Sequence, residues 1–184
     1  MIFRNDDINP NTDFAALEAM YRTIRRYFPA ATIISAVNLL AQSSKDGSAY
    51  AAVKPVDIDF AGVDKMLGRE ELENIRAWSD EVVSHGLAHL DHRALPAEMQ
   101  EFSIRASCSI LGTKVFVPPF LRANGYTRRI CEARGITIFG LDDEELWLSL
   151  DRDRMDPSRK LVVFHSWTMT PEIFASRFEH LPLP

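Results

Sequence analysis

The chain has 184 residues, 46% of them hydrophobic and 26% charged, with a formal net charge of −5. That is enough for one domain, residues 1–184, with a core of its own, and a mildly acidic balance without basic clusters argues against nucleic acid as the main partner. No apolar run reaches the length of a membrane span, and charges interrupt the start at Met1–Asp7, so no secretory leader is visible and a cytoplasmic location is expected.

Met1–Phe3 reads as a short strand followed by Asp6 and Asp7. Phe14, Leu17, Tyr21, Ile24 and Phe28 recur at steps of three and four, one face of a helix that Thr12 or Asp13 caps and Pro29 ends. Ala31–Val37 reads as a buried strand. Leu40–Leu67 has little regular pattern, and a loop this long in a small domain is either functional or disordered. It is a candidate cover for a site, with Tyr50 as an aromatic that would stack on a ring. Leu72, Ile75 and Trp78 mark a helix, and Glu81–Ser84 a brief strand ending at His85. Pro96 opens a helix with Met99, Phe102 and Ala106 inward and Gly112 as its stop. Lys114–Val117 is a strand running into Pro118-Pro119. Tyr126, Ile130 and Ala133 define a helix that stops at Gly135, and Ile136–Phe139, Leu146–Leu150 and Leu161–Phe164 read as strands. Thr170-Pro171 starts the last helix. Cys108 and Cys131 fall in helices without C-x-x-C spacing, which suits reduced packing thiols.

Repeated strand–helix alternation implies parallel strands with helices outside, in an open sheet or a barrel. Ligand sites in both lie at the carboxyl ends of strands. Asp6-Asp7, His85, His89, Pro118-Pro119 and His165 all fall there and are expected to meet at one rim. His85 and His89 are four apart (H-G-L-A-H). On a helical turn both rings would aim at one point, where a carboxylate completes three ligands and leaves a position open for water. Asp6-Asp7 offers two carboxylates, one for the ion and one for a base. His165 would protonate a leaving group. Each signal has a plainer reading alone: a turn for Asp-Asp, a buried hydrogen-bonded imidazole for His165, a rigid turn for Pro118-Pro119. His92 is a weak substitute ligand and His180 reads as solvated.

In this order, F-R-N-D-D (Phe3–Asp7), S-H-G-L-A-H (Ser84–His89), F-V-P-P-F (Phe116–Phe120) and F-H (Phe164-His165) resemble the polysaccharide deacetylases. These are the carbohydrate esterase family 4, or NodB-type, superfamily, and the likeness is strongest to a divergent short branch with an F-x-P-P motif. The resemblance implies a distorted, incomplete (β/α) barrel of about seven parallel strands. It implies a hydrolase removing an acetyl group from an N-acetylated sugar or polysaccharide. It also implies roles: Asp6 as base; Asp7, His85 and His89 as ligands of a divalent metal ion, zinc foremost; His165 as general acid. Phe120 would give a backbone N–H to the oxyanion. Pro119, Asn124 and Trp167 are candidates for substrate contact, with helix capping an equal explanation for Asn124 and core packing the plainer one for Trp167.

The chain departs from the family pattern at three places. Ile8 follows the aspartates where glycine is usual. Val117 stands where the family carries an arginine that pairs with the base, leaving Arg4, Asn5 and Arg122 as candidates to orient Asp6. The Asp-x-x-Asp-Trp segment has no clear counterpart, Asp142-Asp143 and Trp147 being nearest. Two rival functions fit these gaps: a non-catalytic carbohydrate-binding domain on a deacetylase scaffold, and a metal amidohydrolase acting on a small N-acyl compound. A structural domain that keeps a metal to hold its loops is a third.

Overall fold

The computed structural model describes residues 1–41, 65–140 and 147–183. In chain order the elements are β1 (Ile2–Ile8), α1 (Phe14–Tyr27), β2 (Thr32–Val37), β3 (Leu40–Ala41), β4 (Lys65–Met66), α2 (Arg69–Trp78), β5 (Glu81–Ser84), α3 (Ala97–Leu111), β6 (Val115–Phe116), α4 (Gly125–Ala133), β7 (Thr137–Ile138), β8 (Trp147–Ser149), β9 (Leu161–Phe164) and α5 (Pro171–Ser176). Seven strands form one sheet in the order β7-β6-β5-β2-β1-β9-β8, and every pairing in it is parallel. Taken as a ring, that order follows the chain from β1 round to β9, with a break only between β7 and β8. The sheet is therefore a curled half-barrel with helices outside, the distorted, incomplete (β/α) barrel expected.

Alternation along each strand sorts side chains onto two faces. Outward, Phe3, Ile33, Val162 and Phe164 pack with Leu17, Met20, Tyr21 and Ile24 of α1 and Phe174 of α5 in the main core. Inward, Ile34, Ala36, Val83 and Val117 form a smaller cluster flanked by Ile2, Leu121 and Phe139. Asp13 caps α1 by accepting from the Ala16 N–H at 3.0 Å, as its position before the apolar stripe predicts. Gly112 ends α3 in the left-handed region at φ 67°, where a residue without Cβ carries no steric cost.

Four expectations change. The first strand does not stop at Phe3 but runs through both aspartates, with a register shift between Asn5 and Ile8. The ends of the Leu40–Leu67 segment pair as the antiparallel β3–β4, while 42–64, with Tyr50, lie outside the described residues. Phe102 faces outward at 46% exposed. The buried face of α3 instead carries Gln100, Ser103 and Ser107 beside Ile104, Cys108 and Leu111. Those polar groups have work there: Gln100 Nε2 donates to the Leu95 carbonyl, and Ser103 Oγ accepts from the Leu87 N–H. The helix packs under an irregular loop whose backbone groups need partners. Finally, His85 to His89 is that loop, made of bends rather than a helical turn, and Gly86 takes φ 91° to enter it.

Candidate metal centre

Asp7, the last residue but one of β1, has φ 67°, unusual for a residue with a Cβ. Asn9 steadies that conformation by donating from Nδ2 to the Asp7 carbonyl at 2.7 Å. The turn swings the Asp7 carboxylate over the carboxyl ends of the strands. There its Oδ1 lies 2.9 Å from His85 Nε2 and 2.8 Å from His89 Nε2. The donor atoms of the three residues all lie within 4.8 Å of one another. Burial alone would raise the Asp7 carboxyl, but the hydrogen bonds and charge of His89 and His85 hold it well below the usual carboxylate range.

The chemistry of this set fits a cation. His85 Nδ1 lies 2.7 Å from the Val117 carbonyl, which only accepts, so Nδ1 carries hydrogen. In a neutral ring, Nε2 then points a lone pair at a carboxylate oxygen. That arrangement requires a proton or a metal ion between them, and a second-neighbour carbonyl that fixes the tautomer is a usual companion of a ligating histidine.

Asp6 and Arg4, two apart on β1, share its inward face. Arg4 Nε and Nη2 each donate to one Asp6 oxygen at 2.8 Å, a bidentate pair in which the arginine is 1% exposed. The orienting cation is thus Arg4. Arg122 does not serve: its Nη1 reaches Asp91 at 3.2 Å. Nor does Asn5, which faces the other side and bonds Ser166. The guanidinium of Arg4 sits 5.4 Å from the Phe139 ring centroid. Gly140 leaves room for it, since an added Cβ would overlap Arg4 Nη1.

His165, just past β9, brings Nε2 to 3.7 Å from Asp7 Oδ2. Its Nδ1 lies 2.5 Å from Asp151 Oδ2, and its backbone N–H donates to Asp151 Oδ1 at 3.0 Å. Burial works against a charged ring, but Asp151 and the negative charges of Asp7 and Asp6 outweigh it and raise His165 to about 8. Asp151 was not singled out from sequence. It follows the strand expected at Leu146–Leu150, so the strand-end rule that found His165 would have found it. Asp142 and Asp143 lie outside the described residues.

Phe120 and Leu121, in a 3₁₀ turn after the proline pair, have φ of 57° and 53°. With Asp7 they are the non-glycine residues at positive φ among those described, and backbone strain of this kind gathers at functional sites. The Phe120 ring meets His89 edge-on at 4.4 Å, and Pro119 is buried beneath. Trp167 is not a core residue. It is 48% exposed, and its Nε1 donates to Asp7 Oδ2 at 3.2 Å. Asn124 caps α4, accepting from the Tyr126 and Thr127 N–H groups. His92 is no ligand: its ring lies between the Leu90 carbonyl and Ser103. His180 is exposed, as expected, and its Nε2 lies 2.8 Å from the Met155 carbonyl.

Solved structures share this frame. Over 96% of the chain and 86% of theirs, it superposes on a family 4 carbohydrate esterase from Streptomyces lividans at TM-score 0.55 and 12% identity. The chain has the fold of the family 4 carbohydrate esterases. The peptidoglycan deacetylase PdaC from Bacillus subtilis matches at TM-score 0.55 and 13% identity, over 97% of this chain and 82% of PdaC. A family 4 pseudoenzyme from Bacillus anthracis matches at TM-score 0.58 and 10% identity, over 97% of this chain and 59% of that one. No protein-family model and no curated protein sequence matches. Among the described residues, no helix is long and apolar enough to cross a membrane.

Proposed function

We propose that this chain is a metal-dependent deacetylase acting on an N-acetylated sugar or polysaccharide. The observation that carries the reading is one juxtaposition: Asp7, His85 and His89 converge within 4.8 Å, with His165 beside Asp7 and Asp6 one residue before it. A divalent ion held by Asp7, His85 and His89, zinc being the first choice for two imidazoles and a carboxylate, would make water acidic near neutral pH and polarise the acetyl carbonyl.

The residues do the rest. Asp6, aimed by Arg4, takes a proton from the attacking water. The N–H of Phe120, set by the strained turn after Pro119, donates to the oxygen on which charge develops. His165, its Nδ1 engaged by Asp151, presents a protonated Nε2 to the departing amine, and acetate leaves. Trp167, bonded to Asp7 and beside His165, walls one side of the site, and the Phe120 ring against His89 walls another.

The rival is a binding domain without turnover, and the pseudoenzyme from Bacillus anthracis shows that this fold accommodates loss of activity. Retention of the base, its cation and the acid favours the enzyme, because a binder needs none of them. The deciding experiment is metal analysis of the parent beside His85→Ala, followed by acetate release from acetylated sugars and from small N-acyl amines. One equivalent of metal in the parent, lost in the variant, with acetate released from sugars only, supports the proposal. Release from the amines alone would shift it to a small-molecule amidohydrolase. Metal without any release would leave the binding or structural domain.

A further inference from the structure

Two irregular segments leaving neighbouring strands make up much of the site: the His85–His89 loop after β5 and the Pro118–Leu121 turn after β6. β5 and β6 pair at one register position, Ser84 opposite Phe116, and the Val117 N–H donates to the Ser84 carbonyl at 2.8 Å. The turn then closes on itself, with the Leu121 N–H on the Pro118 carbonyl and the Arg122 N–H on the Pro119 carbonyl. Those bonds fix its shape but not its place beside the loop. Phe120 and Leu121 hold positive φ in it, a conformation that persists only where the surroundings impose it. We propose that Arg122 is a positioning residue that ties the turn carrying the oxyanion donor to the loop carrying the metal ligands, gripping Asp91 with its charge and the Phe120 ring with its face. The inference rests on the deacetylase reading above.

The contacts form a closed circuit. Asp91, two residues past His89, is buried, and its Oδ1 accepts from the Arg93 backbone N–H at 3.0 Å, which aims the carboxylate. Arg122 Nη1 donates to the other oxygen, Oδ2, at 3.2 Å. The Arg122 guanidinium carbon lies 5.7 Å from the Phe120 ring centroid, within reach of a cation–π contact. The Phe120 ring in turn meets His89 edge-on at 4.4 Å. A second tie runs alongside, from Asn124 Nδ2 to the Arg93 carbonyl at 3.3 Å. The Arg122 side chain is half exposed, and ion pairs of that kind contribute little to stability. Its value is therefore geometric: a donor set a fraction of an ångström away from the developing oxyanion loses its effect on the transition state while substrate still binds.

The test uses Arg122→Ala, Asp91→Asn and the double variant in the full chain. Asp91→Asn keeps an oxygen for the Arg93 N–H and removes the charge that Arg122 grips. Acetate release from the β-1,4-linked trimer of N-acetylglucosamine gives kcat and KM, and zinc content and melting temperature are measured beside them. Hydrogen exchange of backbone amides in 118–124 reports on the turn without any turnover. The expected result for Arg122→Ala is a kcat lower by about tenfold, short of the 10²–10³-fold for deleting an oxyanion donor outright. KM, zinc content and melting temperature stay at the parent values, and exchange in 118–124 quickens. The double variant should be no worse than Arg122→Ala, because both changes cut one tie. A raised KM at unchanged kcat overturns the proposal in favour of a substrate contact. Loss of zinc in Arg122→Ala, parent-level exchange in it, or effects that multiply in the double variant overturn it as well. Absence of acetate release by the parent would strike the deacetylase reading instead, and the exchange rates would still decide whether Arg122 holds the turn.

Discussion

Replacing Arg4 with methionine isolates the pair that orients the proposed base. Methionine keeps most of the stem's volume, so the main loss is two charge-assisted hydrogen bonds at 2.8 Å from a carboxylate whose side chain is 6% exposed. Removing one partner of a buried pair costs about 3–5 kcal/mol, because the remaining charge is neither solvated nor paired. With a urea slope near the upper end of about 1–3 kcal/mol/M for a chain of this size, the unfolding midpoint should fall by roughly 1–2 M at pH 7. The control is the double variant Arg4→Met, Asp6→Asn. With the orphan charge gone it should recover part of the loss, giving a coupling of about 1–3 kcal/mol between the positions. Arg4→Lys should rescue only partly, since an ammonium cannot make the fork. A loss below about 1 kcal/mol in Arg4→Met, or strict additivity in the cycle, would refute the reasoning by showing the pair to be worth no more than a surface contact.

Asp151→Asn should lower kcat by about 10²-fold or more, because the ring proposed to donate the proton loses the carboxylate that orients and charges it, while metal content stays at the parent level; metal loss together with activity would mean a ligand-holding role instead. Chelation should lower the melting temperature of the parent and leave His85→Ala unmoved, the metal contributing about 2.7 kcal/mol when free ion stands at a hundredfold its Kd. His92 gives a pH effect of definite sign. Burial pushes it down to about 4, so the folded chain resists its protonation while the unfolded chain accepts a proton near 6.5. Its contribution is intact above pH 6.5 and declines as the pH falls toward 4, by about 3 kcal/mol in all. His92→Gln should flatten that part of the stability profile in urea titrations; an unchanged slope would show that other groups set it.

The sheet was legible because its strands are apolar runs separated by helical periodicity, and the meeting of Asp7, His85, His89 and His165 because all of them sit near the carboxyl ends of parallel strands. What escaped was structure supported by polar contacts. β1 continues past Phe3 through Arg4, Asn5, Asp6 and Asp7, a stretch no hydrophobic period would mark as a buried strand. It stays in the sheet because Arg4 and Asp6 neutralise each other inside while Asn5 bonds Tyr21 and Ser166 outside. The inward face of α3 departs from the apolar period for the same reason. Gln100 and Ser103 are buried there because they bond backbone groups of the segment that follows β5, at Leu95 and Leu87, Ser107 pairs with the Ser84 hydroxyl at the end of β5, and Phe102 is left to solvent. The convergence of His85 and His89 was foreseen, though an irregular loop achieves it rather than a helix.

The seat of Arg4 also bears on how such a chain diverges. The family pattern it resembles carries its arginine at the position of Val117, which here is fully buried in the small inner cluster. Passing from one arrangement to the other by single steps means either an intermediate with no cation beside Asp6, or one with two like charges confined in the same interior. Each is destabilising by several kcal/mol, on the order of a large part of a domain's whole stability. Gly140 is a third party, because any side chain there would collide with the Arg4 guanidinium. Substitutions at positions 4, 117 and 140 are therefore expected to be coupled rather than additive. Placing an arginine at 117 alone should destabilise this chain, because it would confine a second cation beside Arg4.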